Sequence, residues 1–126
     1  MNNKILIPIA LILIFLSQCT SKKEGIIMTV KGPIPSETLG ITLTHEHLLV
    51  DFIGADSIDN SRWNRPDVVK KCLPFLLQIR DLGCKSFIDC TPAYLGRDPL
   101  LLKELSDLSG LNILTNTGYY GAGNNK

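Results

Sequence analysis

Apolar residues recur along this chain in three rhythms, and each predicts a different kind of element. From Ile5 to Leu16 every one of twelve residues is apolar, too few for a membrane-spanning helix, which takes about 20. From Ile41 to Leu48 the order Ile-Thr-Leu-Thr-His-Glu-His-Leu alternates and is rich in β-branched residues, which predicts a strand. A period of two places Ile41, Leu43, His45 and His47 on one face and Thr42, Thr44, Glu46 and Leu48 on the other. From Pro66 the rhythm becomes helical. Val68, Val69, Cys72, Leu73, Leu76, Leu77 and Ile79 form an apolar stripe that Gly83 ends. Pro66 opens this helix, where a missing N–H costs nothing, whereas Pro74 inside it predicts a kink or a later start.

The same signals place the remaining elements. Ile26 to Val30 reads as a short strand, followed by turn chemistry at Gly32-Pro33 and Pro35-Ser36. A polar loop runs from about Gly54 to Asn64. Lys85 to Cys90 is a second main strand. Asp98-Pro99 then supplies an N-cap and a first-turn proline for a helix whose stripe is Leu101, Leu105 and Leu108 and whose stop is Gly110. Asn112 to Thr117 is a third strand. Strand, helix, strand, helix, strand implies parallel pairing with right-handed crossovers. Such a sheet takes helices on its outer face and closure or more strands at its edges. The pattern therefore predicts an unfinished α/β domain.

The apolar run at the start is preceded by Lys4 and followed by Leu16-Ser17-Gln18-Cys19 and a polar stretch. A basic residue, an apolar core of this length and a polar exit make a secretory signal. The cysteine context resembles the lipobox of bacterial lipoproteins, which implies a signal peptide over residues 1–18, a lipidated tether over 19–25 and a domain over 26–126. Cys19 is then the lipidation site, and the implied location is the bacterial cell envelope, anchored to the membrane.

Charge narrows the partners. Thirteen basic and twelve acidic residues leave a net +1 on 126 residues, so no basic field exists for a nucleic-acid backbone. Four Cys are too few for a disulfide scaffold, and Cys72 and Cys90 read as small buried apolar residues. Only two His are present, and both lie in His45-Glu46-His47. Side chains two apart on a strand share a face about 6.6–6.8 Å apart along the backbone, close enough to lean onto one ion. Taken alone, an H-x-H pair is a weak signal, and two buried or solvent-facing histidines with no ligand are the reading it favours over a ligand pair.

Thr29-Val30-Lys31-Gly32-Pro33-Ile34 and Gly40-Ile41-Thr42-Leu43-Thr44-His45-Glu46-His47 resemble the N-terminus of the phosphotriesterase family, within the amidohydrolase superfamily. The likeness continues through Phe87-Ile88-Asp89-Cys90-Thr91, Gly96-Arg97-Asp98-Pro99 and Asn112-Ile113-Leu114 to Thr117-Gly118-Tyr119-Tyr120. It implies the N-terminal part of a TIM-type (β/α)8 barrel: a hairpin, two β/α units and a third strand. A whole barrel takes about 250 residues. It also implies two divalent metals, most simply zinc, with His45 and His47 ligating one of them. The bridging Lys or Glu, two further His and an Asp belong to later strands. Glu46 and Asp89 become residues behind the ligands, with Asp89 either orienting a His or capping nearby backbone. Arg97 ties its loop. Tyr120 either lines the substrate pocket or packs.

The resemblance implies a metal-dependent hydrolase of phosphotriester, lactone or related ester bonds, with most of the ligand set absent from this chain. Two other readings stay open: a lipid-anchored binding module that turns nothing over, and a barrel part completed by a complementary chain. In either barrel reading the strands' inward residues include Leu43, Phe87 or Ile88, and Ile113 or Leu114.

Overall fold

The structure, a computed structural model, describes residues 25–120. The expected signal peptide, Cys19 and all of the expected tether except Gly25 lie outside the described residues. Strands β1 (Ile26–Thr29) and β2 (Gly32–Pro35) form an antiparallel hairpin. Strands β3 (Thr42–Glu46), β4 (Ser86–Asp89) and β5 (Asn112–Thr115) form a parallel sheet in that order. Helix α1 (Arg65–Asp81) connects β3 to β4, and α2 (Pro99–Ser109) connects β4 to β5. The expected β/α alternation is what forms.

The second hairpin strand was expected as turn. Gly32-Pro33-Ile34-Pro35 pairs fully with β1, because a prolyl nitrogen is harmless where its side of the strand has no partner to receive an N–H. The tight connection through Val30 and Lys31 docks on the main sheet. Val30 N–H donates to the Ile113 carbonyl at 2.9 Å, and Lys31 Nζ reaches the Ser106 carbonyl at 3.3 Å.

Helix α1 begins where the sequence places it. The Asn64 side chain accepts the Asp67 N–H, and Pro66 occupies the first turn. Pro74 neither delays the start nor ends the helix, which runs through it to Asp81. Gly83 then takes φ +100°, a conformation that side chains with a Cβ rarely adopt. Helix α2 is capped by Asp98 and closed by Gly110 at φ 77°. Its buried face differs from the expected stripe: Leu108 is half exposed, and Leu102, Ser106 and Ser109 are buried beside Leu101 and Leu105. The serines are tolerated inside because Leu111 occupies them. Ser106 Oγ donates to the Leu111 carbonyl, and Ser109 Oγ accepts the Leu111 N–H.

The core lies between the helices and one face of the sheet. Val69 and Leu76 of α1, Leu101, Leu102 and Leu105 of α2, and Phe87, Leu111 and Ile113 pack there. Burying such a side chain fully contributes about 1.5–3 kcal/mol. Leu43, Phe87 and Ile113 sit side by side in register, and Leu43 joins this core. That row faces the helices, so these residues are not inward-facing. Ile88 and Leu114 point the other way and are half exposed.

Candidate metal centre

The two histidines sit where β3 ends. Strict alternation would have put Leu43, His45 and His47 on one face, yet Leu43 packs into the core while both histidines are exposed. The reason is a break in register. Leu43 pairs with Phe87 and Glu46 with Asp89, so three steps along β3 match two along β4. The extra residue is a β-bulge, which reverses the face seen by everything beyond it and re-aims the side chains there. His47 lies just past the strand, with its ring centroid 5.4 Å from that of His45.

His47 is held from behind. Its Nδ1 lies 3.0 Å from Thr91 Oγ1, leaving Nε2 outside that contact. Thr91 itself is 1% exposed. Asp89, equally buried, gives its carboxylate to backbone rather than to a ring. One carboxylate oxygen accepts the Leu48 N–H at 2.9 Å and the other the Thr91 N–H at 2.8 Å. Of the two readings of Asp89, backbone capping is the observed geometry. Glu46 is half buried, and its carbonyl accepts the Cys90 N–H, a second tie between the two strand ends. Thr91 is the residue that sequence reasoning passed over, although its hydroxyl two positions after Asp89 was the available signal.

A cleft of about 510 Å³ opens beside His47, lined by Val50, Phe52, Cys90, Pro92, Leu95 and Tyr120. Tyr120 therefore does reach the cleft that holds His47. Cys90 lies past the end of β4 and is half exposed at this wall, not buried in a strand. Cys84 is buried and Cys72 half buried, and all three are free thiols. Burial pushes the Cys72 thiol above its ordinary pKa, which suits an inert packing residue.

The loops around the cleft are pinned by charge. Arg97 donates to the Asn116 carbonyl at 2.7 Å and to that of Gly118 at 3.3 Å, the loop-tying role expected of it. Asp98 does more than cap α2: it also accepts from Trp63 Nε1 and Arg65 Nε. Burial pushes its carboxyl pKa up, but the Arg65 guanidinium, the Trp63 indole and the Leu101 N–H together outweigh that and hold it below the ordinary value. Gly96, at φ +105°, lies close under Leu49 and Asp51, where a Cβ would meet the Asp51 nitrogen at 3.4 Å.

Imidazole ligands suit zinc and similar divalent ions. Their shared aspect, and the occupied Nδ1 of His47, fit two ligands of one ion. No group of three His, Cys, Asp or Glu able to hold a metal occurs among the described residues.

Paired imidazoles at the C-terminal end of a parallel strand, over a cleft walled by the following loops, define a β/α-barrel type of site. A model of the phosphotriesterase family matches residues 25–124, and the chain belongs to that family. It is 29% identical to the N-acetyltaurine hydrolase of Tetraodon nigroviridis over 79% of this chain and 36% of that protein. It is 28% identical to an aryldialkylphosphatase of Saccharolobus solfataricus over 71% of this chain and 29% of that one. A phospho-furanose lactonase of Mycoplasmopsis agalactiae is 28% identical over 79% and 28%. Among solved structures, a triple mutant of an organophosphorus hydrolase from Deinococcus radiodurans matches with TM-score 0.69 and 30% identity, over 77% of this chain and 30% of that one. The chain thus spans 28–36% of the length of these curated relatives, which are hydrolases. The fold is the N-terminal part of their TIM-type barrel, with no closed barrel among the described residues. The family is binuclear-metal dependent.

Proposed function

We propose that this chain is the N-terminal part of a hydrolase of phosphotriester, lactone or related ester bonds, in which His45 and His47 hold one of two divalent metals, most simply zinc. The observation that carries this reading is the exposed imidazole pair that the β3 bulge turns away from the helix-covered core, with His47 braced by Thr91 beside the cleft. In the complete site the metals supply an activated water and polarise the oxygen of the ester under attack. The chain's own residues do the positioning. Asp89 fixes the strand-end backbone on either side of the site, and Tyr120, Phe52 and Leu95 offer an apolar wall to the substrate.

Two imidazoles fall short of the three protein ligands usual for a catalytic zinc. The 126-residue chain alone is therefore expected to hydrolyse neither lactones nor phosphotriesters above a metal-only control. The same shortfall favours, as a second reading, a barrel part that works only with the strands supplying the remaining ligands. Export as a lipoprotein lipidated at Cys19 belongs to the proposal too, and places the product at the membrane of the bacterial envelope. The alternative of a binding module without turnover is separated by assay.

The experiment expresses the gene product with any coding continuation beyond Lys126, loads it with zinc and assays a phosphotriester and a lactone. Turnover abolished by a chelator and by His45→Ala is expected. A product carrying the remaining ligands that binds zinc and hydrolyses neither substrate contradicts the reading.

A further inference from the structure

The two imidazoles of the pair are held differently. The one ring contact of His45 among the described residues is with His47, whereas His47 is also tied through Nδ1 to Thr91 Oγ1 at 3.0 Å. Thr91 is an unusually fixed anchor. It is 1% exposed, and its N–H donates at 2.8 Å to Asp89, which is just as deeply buried. The other Asp89 oxygen takes the N–H of Leu48, the residue directly after His47, at 2.9 Å. One carboxylate thus ties the backbone bearing the ring to the backbone bearing its partner.

We infer that Thr91 is the positioning residue for His47: its hydroxyl accepts the Nδ1 proton, and so presents the Nε2 lone pair to the metal. This rests on the metal reading proposed above and adds the group that sets one ligand's tautomer. A threonine hydroxyl can donate or accept, so the contact in isolation admits both tautomers. An ion on Nε2 occupies that lone pair and leaves the proton of a neutral imidazole on Nδ1, where Thr91 is already seated to accept it. A valine at 91 keeps the shape and removes the acceptor. A serine keeps the acceptor.

The test uses the full chain labelled with 15N-histidine, with long-range proton–nitrogen NMR recorded while Zn2+ is added. In the parent chain zinc shifts Nε2 of His47 and leaves the proton on Nδ1. Thr91→Val should weaken the zinc response of His47 about tenfold or more and reduce its Nδ1-protonated share, while His45 still responds. Thr91→Ser should restore both, which a general loss of folding would not allow. Identical His47 tautomer and zinc response in the parent and Thr91→Val chains overturn the role of Thr91 and leave the metal reading standing. Absence of any zinc shift at either ring of the parent overturns the metal reading, and the role of Thr91 with it.

Discussion

Asp89 Oδ2 accepts the Leu48 N–H at 2.9 Å, so the carboxylate that ends β4 holds the backbone just beyond β3. The contact crosses between strands whose ladder is interrupted by the bulge, and it secures the segment that carries His47. With Asp89 and Thr91 each 1% exposed, the Thr91 N–H has no water as a ready substitute for this carboxylate.

Replacing Asp89 with alanine should therefore cost about 2–4 kcal/mol, since a buried donor at Thr91 and a half-buried one at Leu48 lose a charged acceptor. A denaturant melt of the parent and Asp89→Ala chains measures it. A cost under about 0.5 kcal/mol, within the range of ordinary surface substitutions, contradicts the clamp.

Asp98 should make stability depend on acid pH. Its carboxyl pKa is lowered in the fold, so its contribution is complete above the unfolded value of about 3.9 and disappears as pH falls through the folded value. Asp98→Asn should lower stability near neutrality and flatten the loss between about pH 4 and the folded value. Thermal melts across the acid range check this. Equal acid sensitivity in both chains removes Asp98 as its source.

The sheet should make the isolated chain associate. Strands β3 and β5 are the sheet's edges, and Ile88 and Leu114 are only half buried on the face away from the helices. Tyr119 and Phe52 add exposed aromatic area, at 71% and 76%. Net stabilities of a few kcal/mol leave little margin for an uncovered face. Residues 20–126 should melt with a concentration-dependent midpoint and exchange amide hydrogens rapidly in β3. A sharp, concentration-independent monomer transition with slow exchange in all three strands excludes this.

The alternation of elements was legible in the sequence because most boundaries have a local cause: Asp98 caps, Pro66 and Pro99 start, Gly83 and Gly110 stop. The cluster His45-Glu46-His47 was legible as candidate chemistry for its residue types alone. The faces of the strands were not. A single extra residue between Leu43 and Glu46 separates Leu43 from His45, and no composition or period announces a bulge. Leu108 was misplaced because serines rarely compete for a buried face, and Ser106 and Ser109 do so only through the Leu111 backbone that follows the turn. Thr91 offered a hydroxyl two positions after Asp89, but its pairing with His47, 44 residues away in the sequence, was not legible.

The central claim, that His45 and His47 jointly ligate one ion, is tested most directly by X-ray absorption at the zinc edge of the loaded chain. The account predicts two imidazole scatterers at about 2.0–2.1 Å, one remaining in each of His45→Ala and His47→Ala. A spectrum without imidazole scattering, or one unchanged when both histidines are replaced, contradicts it.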